Sequence, residues 1–221
     1  MHSQTLQELL SELYSDSECQ IIHAMYPGSK LDLAVFTGFD YAIAGPSVLT
    51  IAQPGFGGGT LNMPGQGVGR YTISDREVFR PLQYASAHLM MVREDASWLA
   101  RSVVVESAAH IEALLKRVGR RPRLPFGALL HEKSVEAALD EITYGQARRF
   151  APINNSAKHD FDHPKDTHMF SYGDALSAYF ICRRLAMQIY PLAALSTDMS
   201  VFECPPAGFD PVTGHLTSAS N

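Results

Sequence analysis

The stretch Trp98–Gly119, WLARSVVVESAAHIEALLKRVG, predicts more about the fold than any other part of the chain. Its apolar residues recur at steps of four, three, four and three, at Val104, Ala108, Ile111, Leu115 and Val118. This spacing places them on one face of a helix. Lys116 and Arg117 fall in the last turn, where cations suit the helix dipole, and Gly119 is typical of the C′ residue just past a helix. We therefore predict a helix over about residues 96–118.

The N-terminal part of the chain contains two further helix signals. Residues 5–14 start with TLQE, a capping box in which Thr5 and Glu8 can each satisfy a free backbone N–H, and four leucines then share one face. A second capping box, SDRE at 74–77, starts a helical region. We expect Pro81 to split that region into a short turn and a helix.

More helices are predicted towards the C-terminus. A short helix over 128–133 follows a basic, proline-broken connection, and Ser134 is expected to cap a longer amphipathic helix that Pro152 ends or bends. A third capping box, SYGD at 171–174, starts a helix that is apolar on most faces and should be buried. Residues 192–221 are rich in Pro, Ser, Thr and Gly, which favours an extended, partly disordered tail.

Residues 31–52 differ from the rest of the chain in favouring strands over helices. Their short β-prone runs, LDLAVF, DYAIA and SVLTIA, are separated by turn signals and predict a small antiparallel β meander. Residues 54–70 contain seven glycines but neither the Gly-Lys-Ser/Thr of a P-loop nor a compact dinucleotide fingerprint, so we interpret them as a flexible or structural loop. The predicted fold is mainly α: a helical domain over 74–191 that follows an N-terminal extension, over 1–73, with this meander and loop.

Composition excludes several classes of protein. The net charge of −5 gives no general basic footprint for nucleic acid or anionic membranes, although it is compatible with a local basic site. The three cysteines, Cys19, Cys182 and Cys204, are odd in number and widely spaced, which argues against a disulfide framework. The start of the chain lacks the features of a signal peptide, and no run approaches the roughly 20 apolar residues of a membrane span. We expect a cytoplasmic protein with no membrane partner.

The polar stretch Asn154–His168, NNSAKHDFDHPKDTH, is the main candidate for a site. A metal-free ribonuclease needs a base whose pKa lies near neutrality, which histidine supplies, and fixed cations for the charge that develops on phosphate. A histidine, cations and amides lie in one compact segment after the helix that Ser134 is expected to cap. They are Arg148, Arg149, Asn154, Asn155, Lys158 and His159. In the structural alternative, the arginines compensate the helix C-terminus and an asparagine caps the next element.

A metal site is a weaker alternative for the same stretch. Suitable ligand types are present at His159, Asp160, Asp162, His163, Asp166 and His168. However, their spacing matches no HExxH arrangement, and Pro164 disrupts any helix that would align them. Glu106 and His110 lie one turn apart on the predicted helix and could complete a site. This hypothesis is a metal-dependent hydrolase that uses His110, His159, His163 or His168.

The order of these features over roughly residues 85–191 resembles a known group. A long helix, an intervening helix, the segment Asn155-Ser156-Ala157-Lys158-His159 and the serine-capped FSYGDALSAYFICRRLAMQIY are together similar to HEPN-like all-helical domains of bacteria. Many such proteins carry an Asn-x-x-Lys-His segment between their later helices. The resemblance leaves residues 1–73 without an explanation.

The resemblance implies a homodimer that binds RNA, or cleaves it without a metal or other cofactor, in a bacterial defence or toxin–antitoxin system. His159 would be the base, with Lys158 and Arg149 stabilising phosphate charge and Asn155 beside them. Arg148 and Asn154 would contribute to binding. Ribonuclease members place four to six residues between the Arg and the His of a composite site, whereas nine separate Arg149 from His159 and ten separate Arg148 from it. This departure favours an alternative, a non-catalytic dimeric module that binds a partner protein.

Overall fold

The computed structural model describes residues 2–24, 73–91, 97–159 and 170–196. All regular structure within these ranges is helical. The α-helices are α1 (His2–Leu13), α2 (Asp16–Ala24), α3 (Arg76–Met91), α4 (Ser97–Gly119), α5 (Phe126–Leu129), α6 (Lys133–Glu136), α7 (Glu141–His159) and α8 (Tyr172–Ile189). Single 3-10 turns precede α3 at Ile73–Asp75 and follow α8 at Tyr190–Leu192.

The prediction of a mainly α fold is confirmed, but its β component is corrected. The described residues contain no strand, and the proposed meander at 31–52 and glycine-rich loop at 54–70 both lie outside them. The physical reason is that β-propensity reflects how well a side chain fits a sheet surface more than an intrinsic preference of the backbone for a strand. A sheet also needs several strands for stability.

The central element is α4, which packs against α3, α7 and α8 and against the two short helices α5 and α6. The apolar face predicted from sequence is buried, with Val104, Ala108, Ile111 and Leu115 all at 0% exposure. The prediction of α4 is therefore confirmed in extent and in orientation. Its last turn also holds the start of α3, because Arg117 Nη1 lies 2.6 Å from Oδ1 of the fully buried Asp75.

The predicted serine-capped, buried helix is also confirmed as α8. Ser171 Oγ accepts a hydrogen bond from the Asp174 N–H at 3.1 Å, and Asp174 Oδ2 accepts one from the Ser171 N–H at 2.8 Å. This is the reciprocal pair of a capping box. From Asp174 onwards most side chains of α8 are buried, because α1, α4 and α7 surround it.

The end of α4 differs from the prediction by one residue. Arg120, and not Gly119, has the left-handed conformation, with φ of 54°. The Arg120 N–H bonds to the Arg117 carbonyl and the Arg121 N–H to the Lys116 carbonyl, the pair of bonds that defines a Schellman motif. Gly119 has a different role, since a Cβ built on it would lie 2.8 Å from Val135 Cγ2. The glycine permits the close approach of α6 to α4.

Two predicted helix starts are wrong. Helix α1 begins at His2, so the Thr5–Glu8 box lies inside the helix and not at its end. Helix α7 begins at Glu141 and is capped by Asp140, whose Oδ1 accepts from the Thr143 N–H at 2.8 Å. Ser134 lies in α6 instead, where its hydroxyl donates to the Gly119 carbonyl at 3.4 Å. At α7 the nearer Asp140 supplies the cap that Ser134 was expected to supply.

Both prolines that were expected to divide or end helices lie inside them: Pro81 in α3 and Pro152 in α7. A proline inside a helix removes the hydrogen bond to the carbonyl four residues earlier. Here those carbonyls belong to Glu77 and Arg148, two exposed residues where water can replace the lost bond. As a result α7 continues to His159 and carries the NNSAKH segment on a helix.

The N-terminal helix α1 belongs to the same core. Its buried residues Leu6, Leu9 and Leu10 pack with α8 and α7, which confirms the predicted leucine face. The Tyr14 hydroxyl then donates to the Phe180 carbonyl at 2.8 Å. Within the described ranges, none of the helices is long and apolar enough to cross a bilayer.

Candidate functional site

One face of α7 lines an open groove. Helix α7 continues through Pro152. Four of its residues follow one another at steps of four, three and four, which places them on one face: Arg148, Pro152, Asn155 and His159. Lys158 lies beside this row. Polar residues that the sequence places in a loop are therefore brought into register by the helix itself.

The groove has a volume of about 440 Å³ and lies between α7 and the region of α5. Its opposite wall is largely apolar, formed by Pro125, Phe126, Gly127 and Leu130, with His131 at the end of that wall. On the α7 side the lining residues are Arg148, Ala151, Pro152, Asn154, Asn155, Lys158 and His159. Five of the six residues proposed for RNA chemistry thus meet in one place, and Arg149 does not.

Arg148 is held by an aromatic ring. Its Cζ lies 5.8 Å from the ring centroid of Tyr144, one turn earlier on α7, within the range of a cation–π contact. The Tyr144 hydroxyl donates to the Leu130 carbonyl at 2.5 Å, on the opposite wall of the groove. Among the described residues, no carboxylate pairs with Arg148.

Lys158 has a carboxylate partner. Glu112 of α4 lies with Oε2 3.4 Å from Lys158 Nζ, and the same oxygen accepts from the Phe126 N–H at 3.1 Å. Its Oε1 lies 2.7 Å from Lys116 Nζ. Burial raises the pKa of Glu112, but the Lys116 hydrogen bond, the Lys158 charge and the Phe126 N–H outweigh it and lower that pKa overall. Glu112 is therefore ionised and joins both walls of the groove.

Two histidines line the groove, and only one of them was predicted. His159 lies at the end of α7, and His131 lies in the turn after α5; both side chains are exposed. Sequence reasoning missed His131 because it lies 28 positions before His159, in no recognisable motif. Only the packing of α5 against α7 brings the two into one groove.

Asn154 and Asn155, adjacent in the chain, have different environments. Asn155 is exposed, whereas Asn154 is only 4% exposed at the base of the groove and its Oδ1 has no hydrogen-bond partner. A buried amide oxygen without a partner costs about 1–3 kcal/mol. The structural alternative required one of these asparagines to cap the next element. Neither does, because the helix continues past both residues.

Arg149 points away from the groove. Its Nη1 lies 2.5 Å from Glu12 Oε1 and its Nη2 3.3 Å from Glu8 Oε2, both on α1. Successive helical residues differ by about 100° around the axis, so a residue next to Arg148 faces a different neighbour. Arg149 therefore attaches α7 to α1.

His110, the residue proposed to complete a metal site, is a core residue with two partners. Its Nδ1–H donates to the Val78 carbonyl at 2.6 Å, and its Nε2 accepts from the Tyr190 hydroxyl at 2.8 Å. Burial lowers the pKa of His110 to about 4, so the ring is neutral. Glu106 is also engaged, with Oε2 2.8 Å from His88 Nδ1.

The rest of the proposed metal site lies beyond these helices. The described part of the chain contains no group of three or more His, Cys, Asp or Glu side chains placed to hold a metal ion. His163 and His168, with the aspartates at 160, 162 and 166, fall outside the described residues. Of the predicted ligands, His159 and His110 lie apart, one at the groove and one in the core.

No family model, curated protein or solved structure matches this chain. The resemblance to HEPN-like domains therefore stays a prediction.

Proposed function

We propose that the groove binds single-stranded RNA and cleaves it without a metal ion, as the HEPN-like resemblance implies, in a bacterial defence or toxin–antitoxin setting. The observation that carries the proposal is that Arg148, Lys158, His159 and His131 line one groove. Its other wall is apolar. A positively charged groove that follows the phosphate backbone is a common feature of proteins that bind single strands.

The two histidines supply the acid–base chemistry of the proposed reaction. His159 takes the proton of a ribose 2′-hydroxyl, and the resulting oxygen attacks the adjacent phosphorus. The bond from phosphorus to the 5′-oxygen breaks, and His131 gives a proton to that leaving oxygen. The products are a 2′,3′-cyclic phosphate and a free 5′-hydroxyl. Arg148 stabilises the negative charge that develops on the phosphate oxygens.

RNA binding is tested with a fluorescein-labelled single strand of about twelve nucleotides, within the size range of single-strand sites. Anisotropy at several salt concentrations gives both the affinity and its salt dependence. We expect Arg148→Ala to weaken binding, whereas Arg76→Ala, an exposed arginine at the start of α3, leaves it unchanged. Equal affinities for these two variants would remove the groove as the binding site.

Cleavage is tested on the same RNA, with chelator present, by following the cyclic-phosphate product. His159→Ala and His131→Ala should each slow cleavage by about 10²–10⁴-fold, the usual contribution of a general acid or base. His23→Ala is the matched control, because His23 is an exposed histidine on α2. If the wild-type protein leaves RNA intact, the catalytic half of the proposal is wrong. RNA binding is then decided by the anisotropy assay alone.

A second candidate function is a non-catalytic dimer that binds a partner protein. It is favoured by the pairing of Lys158 with Glu112 and of Arg149 with Glu8 and Glu12, which neutralises two of the three predicted cations. Analytical ultracentrifugation and the RNA assay separate the two. A dimer that binds no RNA supports this candidate, and a monomer that binds RNA excludes it.

A further inference from the structure

Tyr144 on α7 contacts both walls of the groove and is not among its lining residues. Its ring lies under Arg148 on one wall, at 5.8 Å from Cζ to the ring centroid. Its hydroxyl holds the Leu130 carbonyl of the other wall at 2.5 Å. Tyr144 is half-buried between α7 and the turn after α5. The ring therefore restricts the Arg148 guanidinium, while the hydroxyl joins α7 to the opposite wall.

Arg148 differs from the neighbouring cations in what balances its charge. Lys158 and Arg149 lie within 3.4 Å of carboxylate oxygens. Arg148 has the face of an aromatic ring in place of a carboxylate, and within the described helices no acid competes for it. A guanidinium that stacks on a ring keeps its N–H edge available for two parallel hydrogen bonds to phosphate oxygens.

We propose that Tyr144 is a positioning residue that holds Arg148 ready for one phosphodiester group of the bound strand. The inference rests on the proposed RNA-binding function and adds to it which cation meets the phosphate and what orients that cation. The ring restricts the long arginine side chain before the ligand arrives, so less conformational entropy is lost on binding. Lys158, neutralised by Glu112, contributes less to phosphate binding than Arg148 does.

The chain contains a matched control for this arrangement. On α3, Arg80 Cζ lies 5.6 Å from the ring centroid of Tyr84, again one helical turn away, and Arg80 Nε donates to the Tyr84 hydroxyl at 3.0 Å. Neither Arg80 nor Tyr84 lines the groove. Replacement of Tyr84 thus removes the same kind of contact from a helix surface away from the proposed site.

The test measures RNA affinity, by the anisotropy assay above, for Tyr144→Leu and Tyr144→Phe, each with Arg148 present and with Arg148→Ala. Loss of the ring should lower affinity about two- to five-fold, the size expected for a cation–π contact at an exposed site. Tyr144→Phe keeps the ring and should stay close to wild type. In the Arg148→Ala background, Tyr144→Leu should have no further effect, because the residue acts through Arg148. Tyr84→Leu should leave affinity unchanged.

Circular dichroism and thermal unfolding show whether each variant keeps its fold, and Tyr144→Phe supplies a variant that keeps the packing. If Tyr144→Leu weakens binding equally with and without Arg148, Tyr144 acts through Leu130 or the fold, and the inference is wrong. The same follows if Tyr144→Phe is as harmful as Tyr144→Leu. A wild-type protein that binds no RNA overturns the proposed function together with this inference. Binding without coupling between residues 144 and 148 overturns the inference alone.

Discussion

Arg148 and Arg149 are adjacent in the chain, yet Arg148 lines the groove while Arg149 pairs with Glu8 and Glu12 of α1. Arg149→Ala should therefore leave RNA affinity unchanged and lower the free energy of unfolding by less than about 1 kcal/mol, as exposed ion pairs do. Arg148→Ala should lower RNA affinity and leave the free energy of unfolding nearly unchanged. It should also reduce the slope of log affinity against log salt by about 0.7. Anisotropy and urea unfolding of both variants give the comparison. An equal loss of RNA affinity in both would mean that Arg149 also reaches the strand.

The ion pair between Arg117 and the fully buried Asp75 should matter more to stability than any exposed pair. Arg117→Ala leaves a buried carboxylate without this cation, and we expect it to lower the free energy of unfolding by about 3 kcal/mol. The control is Arg121→Ala, which breaks the pair of the exposed Arg121 with Glu132 and should cost less than about 1 kcal/mol. Urea unfolding measures both. Similar losses in the two variants would show that the depth of Asp75 is not what makes its pair important.

His110 should make stability depend on pH. Burial lowers its pKa to about 4 in the folded protein, against about 6.5 for an unfolded chain. Between these values the unfolded state binds a proton that the folded state does not. Stability is therefore complete above about pH 6.5 and falls as the pH is lowered, by up to about 1.4 kcal/mol per pH unit. Urea unfolding from pH 7 to 4.5 should show a shallower fall in His110→Gln than in wild type, with the exposed His23→Gln as control. Equal slopes in all three proteins would contradict the assignment.

The close contact between α4 and α6 should make Gly119 sensitive to a single methyl group. Gly119→Ala places a Cβ 2.8 Å from Val135 Cγ2, and we expect a loss of about 1–3 kcal/mol in the free energy of unfolding. The loss should shrink when Val135→Ala is added, since the clashing methyl is then gone. Gly145→Ala is the control, because nothing lies within 4 Å of a Cβ there. At that helical position alanine should stabilise by up to about 1 kcal/mol.

The parts of the fold that sequence predicted correctly are those that depend on local signals. The 4-3-4-3 spacing along α4 and the reciprocal bonds of Ser171 and Asp174 need nothing beyond their own helix. Pro152 was misjudged because the cost of a proline depends on whether water reaches the unpaired carbonyl, which is a property of the folded surface. The resemblance assigns the phosphate charge to Arg149 and not to Arg148, because it compares spacing along the chain and not the direction in which each side chain leaves the helix.

The groove could be predicted only in part, for the same reason. Asn155, Lys158 and His159 were identified from chemistry, and α7 does place them together. His131 could not be found, because its relation to His159 depends on the packing of α5 against α7. Glu112 was missed as well, since nothing in the sequence relates a residue of α4 to Lys158.

The hydrogen bond from the Tyr14 hydroxyl to the Phe180 carbonyl joins two residues that lie 166 positions apart in the chain. A ribosome that adds about 5–20 residues per second makes Phe180 roughly 10–30 s after Tyr14. During that interval Leu6, Leu9 and Leu10 of α1 have been made, but the α8 surface that buries them does not yet exist. The nascent chain must keep this leucine face from other partners, so chaperones that bind short apolar helices should have their best opportunity before α8 leaves the ribosome.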